Sequence, residues 1–134
     1  MLILLWLVVG AGLAAGFIAI GRSLPTQQNR LFAVGLVVAA FVYVGFAIAA
    51  GQPQWLVLSL AGVALYSLFP LLSYLDGQRS LLWLAIGWLL HPIWDTGVHL
   101  LNPTVDFAPR WYALACLSFD GVVATYLFTV RRCR

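Results

Sequence analysis

Long apolar runs alternate with short polar breaks along this chain. The runs cover about 2–20, 31–50, 55–75, 81–101 and 111–130, and a bilayer core about 30 Å thick needs on the order of 20 apolar residues per helix. The pattern predicts an all-α integral membrane bundle of five transmembrane helices, built as one domain over residues 1–134. Turn chemistry fills the breaks: Pro25 in the first, Pro53 in the second, Asp76-Gly77 and Asn102-Pro103 at the start of the third and fourth. No basic residue precedes the first run, which has the length of a full span, so it reads as a retained helix and not a signal peptide.

The arginines supply a separate check on the count, because positive charge collects in cytoplasmic loops only if the number of spans has the right parity. With five spans, Arg22, Arg30, Arg79, Arg131, Arg132 and Arg134 fall on one side and Arg110 alone on the other. This places the N-terminus outside and the C-terminus in the cytoplasm, as expected of a multi-pass protein of the bacterial inner (plasma) membrane. Trp55 and the Trp111-Tyr112 pair sit at the outer ends of their runs, where an interfacial aromatic belt belongs.

Composition agrees. The chain is 63% hydrophobic and 8% charged, with a mean hydropathy of +1.00, against roughly 25% charged residues in soluble domains. A net charge of +3 could suggest nucleic acid, but the cations are scattered arginines at loop ends and carry topology instead, so no nucleic-acid partner is expected. Cys116 and Cys133 lie far apart along one helix and form no metal-ligand spacing. Gly12 and Gly16 form a GxxxG, joined by Gly10, Ala14 and Ala15. Intramolecular helix packing is the first expectation there, with a homo-oligomer or membrane-complex partner as the alternative. Pro70 is expected to be a tolerated kink.

Two acidic residues stand out. Asp76 and Asp106 fall in loops, whereas Asp95 and Asp120 fall inside spans, where an Asp costs roughly 2.5 to 3.5 kcal/mol and marks a functional site by default. His91, Asp95 and His99 are spaced i, i+4, i+8, so they turn by only about 80° in all and share one helix face. Asp120 lies about 13 Å into the fifth helix, level with the stretch between His91 and Asp95. Pro92 removes a hydrogen bond to the Trp88 carbonyl and should kink the helix beside His91. Trp88 and Trp94 are candidate aromatic walls for a bound cofactor or substrate, and Thr96, Ser118 and Tyr126 are further candidate donors.

The segment Gly87-Trp88-Leu89-Leu90-His91, with Trp94-Asp95, His99-Leu100, Asn102-Pro103, Phe107, Pro109, Cys116 and Asp120, resembles the signature of a family of small bacterial integral membrane proteins known as domain of unknown function sixty-ten. The resemblance covers roughly residues 84–124. Val98 stands beside His99 where the family pattern pairs two histidines. The resemblance supports the membrane fold and the polar site and implies no reaction.

Four uses of the cluster follow from its chemistry. His91, Asp95, His99 and Asp120 could hydrogen-bond to one another and only join helices four and five. They could bind a divalent metal such as zinc, iron or manganese, since two imidazoles and two carboxylates around a dication leave no net charge. One ion would take an i, i+4 pair plus Asp120, because His91 and His99 are about 12 Å apart along the axis. The expected partner is then a membrane lipid or hydrophobic small molecule, the substrate of a membrane enzyme acting on lipids or isoprenoids. Without metal, Asp95, Asp120 and His91 could act as general acid and base on such a substrate. Proton or ion translocation is the fourth use.

Overall fold

The computed structural model describes residues 1–101 and 107–132. Asn102-Pro103, Asp106, Cys133 and Arg134, named above, lie outside the described residues. The elements are α1 (Leu2–Ser23), α2 (Gln28–Ala49), α3 (Pro53–Leu75), a 3-10 turn (Gly77–Arg79), α4 (Ser80–Leu101) and α5 (Arg110–Arg132). No strand occurs among the described residues.

The ends of these helices follow from local chemistry. Gly51 has φ +64, and its N–H bonds to the Ile48 carbonyl at 3.0 Å while the Gln52 N–H reaches Ala47 at 3.3 Å. Those two bonds satisfy the last carbonyls of α2, and only glycine adopts that φ without strain. Pro53 then opens α3, where its missing N–H costs nothing. Before α4, Asp76 accepts from the Arg79 amide at 3.3 Å and from the Trp83 indole at 3.3 Å. Pro70 and Pro92 lie inside α3 and α4, which continue through them.

Four helices, α1, α2, α3 and α5, are long and apolar enough to cross a membrane. The 22 residues of α4 match them in length, but His91, Pro92, Asp95 and His99 interrupt its apolar run. Leu4, Val8, Val57 and Ile93 are each at least 60% exposed, an apolar surface suited to lipid and hostile to water. Helix α1 packs on α5, α5 on α4, and α3 lies between α2 and α4, which also touch. Trp6 meets Trp111, Phe46 meets Tyr112 and Trp55 stacks on Phe107, which gathers the starts of α1, α3 and α5 and the end of α2 at one end. At the other end Gln28 donates to the Tyr126 hydroxyl at 2.8 Å and Asn29 to Ser80 at 2.7 Å. Arg22, Arg30, Arg79, Arg131 and Arg132 border that second end, and Arg110 starts α5 at the first.

Small residues do bring α1 onto α5, but not through the expected pair. A Cβ at Gly10 would collide with the Ala115 carbonyl and the Ser118 hydroxyl, whereas nothing lies within 4 Å of one at Gly12 or Gly16. Both of those glycines are exposed and Ala14 is buried. The intramolecular packing therefore runs along the Gly10–Ala14 edge of α1, because a 100° step per residue turns Gly12 and Gly16 away from it. Gly10→Ala should destabilise the bundle by about 1–3 kcal/mol through overpacking. Gly12→Ala and Gly16→Ala should be neutral or gain up to about 1 kcal/mol from helix propensity. Thermal melts of the three variants in mild detergent check this ordering, and equal melting points for all three would refute it.

Candidate functional site

One turn of α4 separates His91 from Asp95, and α5 supplies Asp120 opposite them. All three are buried, with exposures of 1%, 0% and 1%. His91 Nδ1 lies 2.8 Å from Asp120 Oδ2 and 3.6 Å from Asp95 Oδ2. One ligand atom from each of the three falls within 4.8 Å of the others. The first distance is a charge-assisted hydrogen bond across two helices; the second is too long for one.

That leaves the Asp95 carboxylate in an unusual state. Among the described residues no fully formed hydrogen bond reaches either oxygen, although the buried Tyr43 hydroxyl on α2 and the Cys116 thiol on α5 lie close enough to be its donors. Burying an ionised carboxylate without compensation costs several kcal/mol, and native interiors pair nearly all such groups. A buried carboxylate beside a His–Asp pair is a place where a cation or a shared proton can be held.

The donor set fits a divalent metal. A tetrahedral ion with bonds of about 2.0–2.1 Å holds its ligand atoms roughly 3.4 Å apart, close to the 3.6 Å between His91 and Asp95 and a few tenths longer than the 2.8 Å between His91 and Asp120. Two carboxylates and a neutral imidazole balance a dication, and three protein ligands leave a fourth position free.

The other candidate residues lie around this centre or away from it. His99 is not brought to the triad: its Nδ1 faces the Asp95 backbone carbonyl at 2.9 Å and its Nε2 the Ala108 carbonyl at 3.1 Å. It ties the end of α4 to the segment before α5. Trp88 is buried and donates its indole N–H to the Phe32 carbonyl at 3.1 Å. Trp94 packs over Gly62, where a Cβ would lie 3.3 Å from its ring. Both are walls of the core in this arrangement. Ser118 bonds to the Ala115 carbonyl, Tyr126 to Gln28, and Thr96 is half-buried.

Three tyrosines and a cysteine complete the surroundings. Tyr66 of α3 sets its ring edge-on to His91 at 4.9 Å and donates to the Leu90 carbonyl at 3.0 Å, in the turn that Pro92 disturbs. Tyr112 meets Tyr43 edge-on at 5.9 Å, and Cys116 is a buried free thiol beside Asp120. Cys116 was within reach of sequence reasoning, since it precedes Asp120 by one turn on the same helix face. Nothing in the chain's spacing links Tyr43 or Tyr66 to α4, so these contributions come only from packing.

Asp95 and Asp120 should respond oppositely to substitution in metal-stripped protein. Asp120→Ala strands the His91 ring and should cost about 1–3 kcal/mol. Asp95→Asn removes an uncompensated charge and should be neutral or stabilising by about 1 kcal/mol. Thermal melts in detergent with chelator present read both; a large loss in Asp95→Asn would mean the carboxylate is bonded in the folded protein.

No curated protein and no solved structure matches the chain. A family model does, over residues 5–132, so the likeness seen in the last two helices extends to the first three. With nearly its whole length matched, the chain belongs to the family of unknown function DUF6010.

Proposed function

We propose that this protein is a five-span membrane enzyme that holds one divalent cation, zinc, iron or manganese, between His91, Asp95 and Asp120 and acts on a lipid or isoprenoid substrate. The observation that carries the reading is the buried meeting of His91, Asp95 and Asp120, with one ligand atom of each within 4.8 Å of the others. Such an ion supplies Lewis-acid polarisation of a substrate oxygen. His91 and Asp120, 2.8 Å apart across α4 and α5, would hold it together with Asp95. Tyr66 sets its ring against His91 from α3, and the apolar helices around the site exclude water, which strengthens every charge interaction inside.

A second reading is favoured by the 2.8 Å His91–Asp120 bond itself: a carboxylate that orients an imidazole makes a general base, with Asp95 as the acid. A purely structural cluster accounts for the His91–Asp120 bond but leaves Asp95 without a role. The five-span topology with a cytoplasmic C-terminus in the bacterial inner membrane belongs to the same proposal, supported by the arginines bordering one end of the bundle. A second copy or a larger complex would find Gly12 and Gly16 open on α1.

Metal analysis of protein purified in mild detergent should find one divalent ion per chain, lost in both Asp95→Ala and Asp120→Ala. Folded wild-type protein that stays metal-free after incubation with zinc, iron(II) and manganese would overturn the metal reading. For the topology, a green fluorescent protein fused after Arg134 should fluoresce and an alkaline phosphatase fused there should be inactive; the reverse pattern would place the C-terminus outside.

A further inference from the structure

A cleft of about 540 Å³ runs between α1 and α2 and reaches the site from the side. Trp6 and Trp111 stand at its rim at the end of the bundle where α1 begins, and Trp88 lies at its base. Its inner end is closed where the Phe17 ring covers Gly35, so tightly that a Cβ there would lie 2.7 Å from the ring. The walls are almost wholly apolar. Apart from the indoles, the polar side chains on the cleft are Tyr112, Cys116 and Asp120, spaced i, i+4, i+8 and therefore on one face of α5. Tyr112 is half-buried there and Cys116 and Asp120 are buried, so the slot is apolar along its length and ends against Asp120, a ligand of the candidate metal centre.

We propose that this cleft binds a neutral single-chain lipid alcohol, its hydroxyl at Asp120 and its chain between α1 and α2. The assignment of the hydroxyl rests on the metal reading above; the seat of the chain rests on the cleft alone. The volume lies within the range of about 300–1,000 Å³ that holds one small ligand. From Trp6 to Phe17 the slot extends about 16 Å along α1, the shape of one extended chain. Neutrality of the head follows from charge. A dication and two aspartates sum to zero, so a hydroxyl joins without leaving net charge in a low-dielectric site, whereas a carboxylate or phosphate adds an unbalanced one. A small uncharged head is also the one that reaches this depth at least desolvation cost.

Tryptophan fluorescence tests this in the full-length protein, because Trp6, Trp88 and Trp111 line the cleft. The probe is a straight-chain primary alcohol brominated at mid-chain, added in micelles to metal-loaded and metal-stripped protein. The expected result is saturable quenching, weaker by about tenfold for the brominated alkane without a hydroxyl and for the matching carboxylic acid. Ala39→Phe and Val38→Phe, which narrow the cleft from α2, should each weaken it by a similar factor while keeping their metal. Quenching that rises linearly and equally in wild type and both variants would overturn the cleft as a binding site. An acid that binds as tightly as the alcohol would overturn the neutral head. Metal content measured on the same samples separates the two proposals. Metal without saturable quenching overturns only the lipid, and saturable quenching without metal overturns the ion and the neutral-head assignment with it while keeping the cleft as the seat of the chain.

Discussion

The buried carboxylate of Asp95 sets the terms for the rest of the bundle. A carboxylate buried in an apolar bundle has to be protonated, bonded or neutralised by something held close, and what the bundle offers is His91 on its own helix with groups on α2 and α5. His91 lies one turn away on the same helix and Asp120 across the interface on α5. The position of α5 relative to α4 is thus tied to site chemistry as well as to apolar contact. In lipid, where association of helices has no hydrophobic drive between them, such a polar contact weighs more in fixing register than it would in a soluble protein. The His91–Asp120 bond supplies that register, and Asp95 stands one turn from it on α4.

Around this centre the bundle is built by close approaches at a few small residues. Gly10 admits the α5 backbone to α1, Gly62 admits the Trp94 ring to α3, and Gly35 admits Phe17 to α2. Each lets a bulky group or a backbone approach at a distance that a side chain would prevent. The consequence is uneven packing: α1 is held firmly on α5 and closes on α2 around Phe17 and Gly21. The open stretch between α1 and α2 is the cleft, and α5 forms its back wall, with Tyr112 half-buried on it and Cys116 and Asp120 buried beneath. One arrangement of helices thus makes a buried polar centre and an apolar cleft beside it.

Much of this is written in the order of residues. Helix count, approximate bounds and alternation of direction follow from apolar runs of bilayer length and from breaks at Pro25, Pro53 and Gly77, because both features act within one segment at a time. The pairing of His91 with Asp95 follows from helical periodicity alone, and the depth of Asp120 from a constant rise per residue. His99 shows where periodicity stops being enough. It shares the face of its neighbours, yet both of its ring nitrogens meet backbone carbonyls, since it sits at the helix end, where Ala108 comes within reach.

What tertiary structure alone decided is which helix faces which. Spacing along α1 singled out Gly12 and Gly16, but the rotation of α1 about its axis put Gly10 and Ala14 at the contact, and rotation depends on the shape of the partner surface. Tyr43 and Tyr66 entered the site from α2 and α3 for the same reason: no local rule relates their positions to Asp95. The sequence by itself determined that a costly polar cluster lies in an apolar helical protein and which four residues carry it. Only the packed bundle separated the three that meet from the one that does not, surrounded them with aromatic hydroxyls and left a cleft beside them. Contacts between helices distant in sequence depend on the joint fit of many side chains, which no single segment encodes.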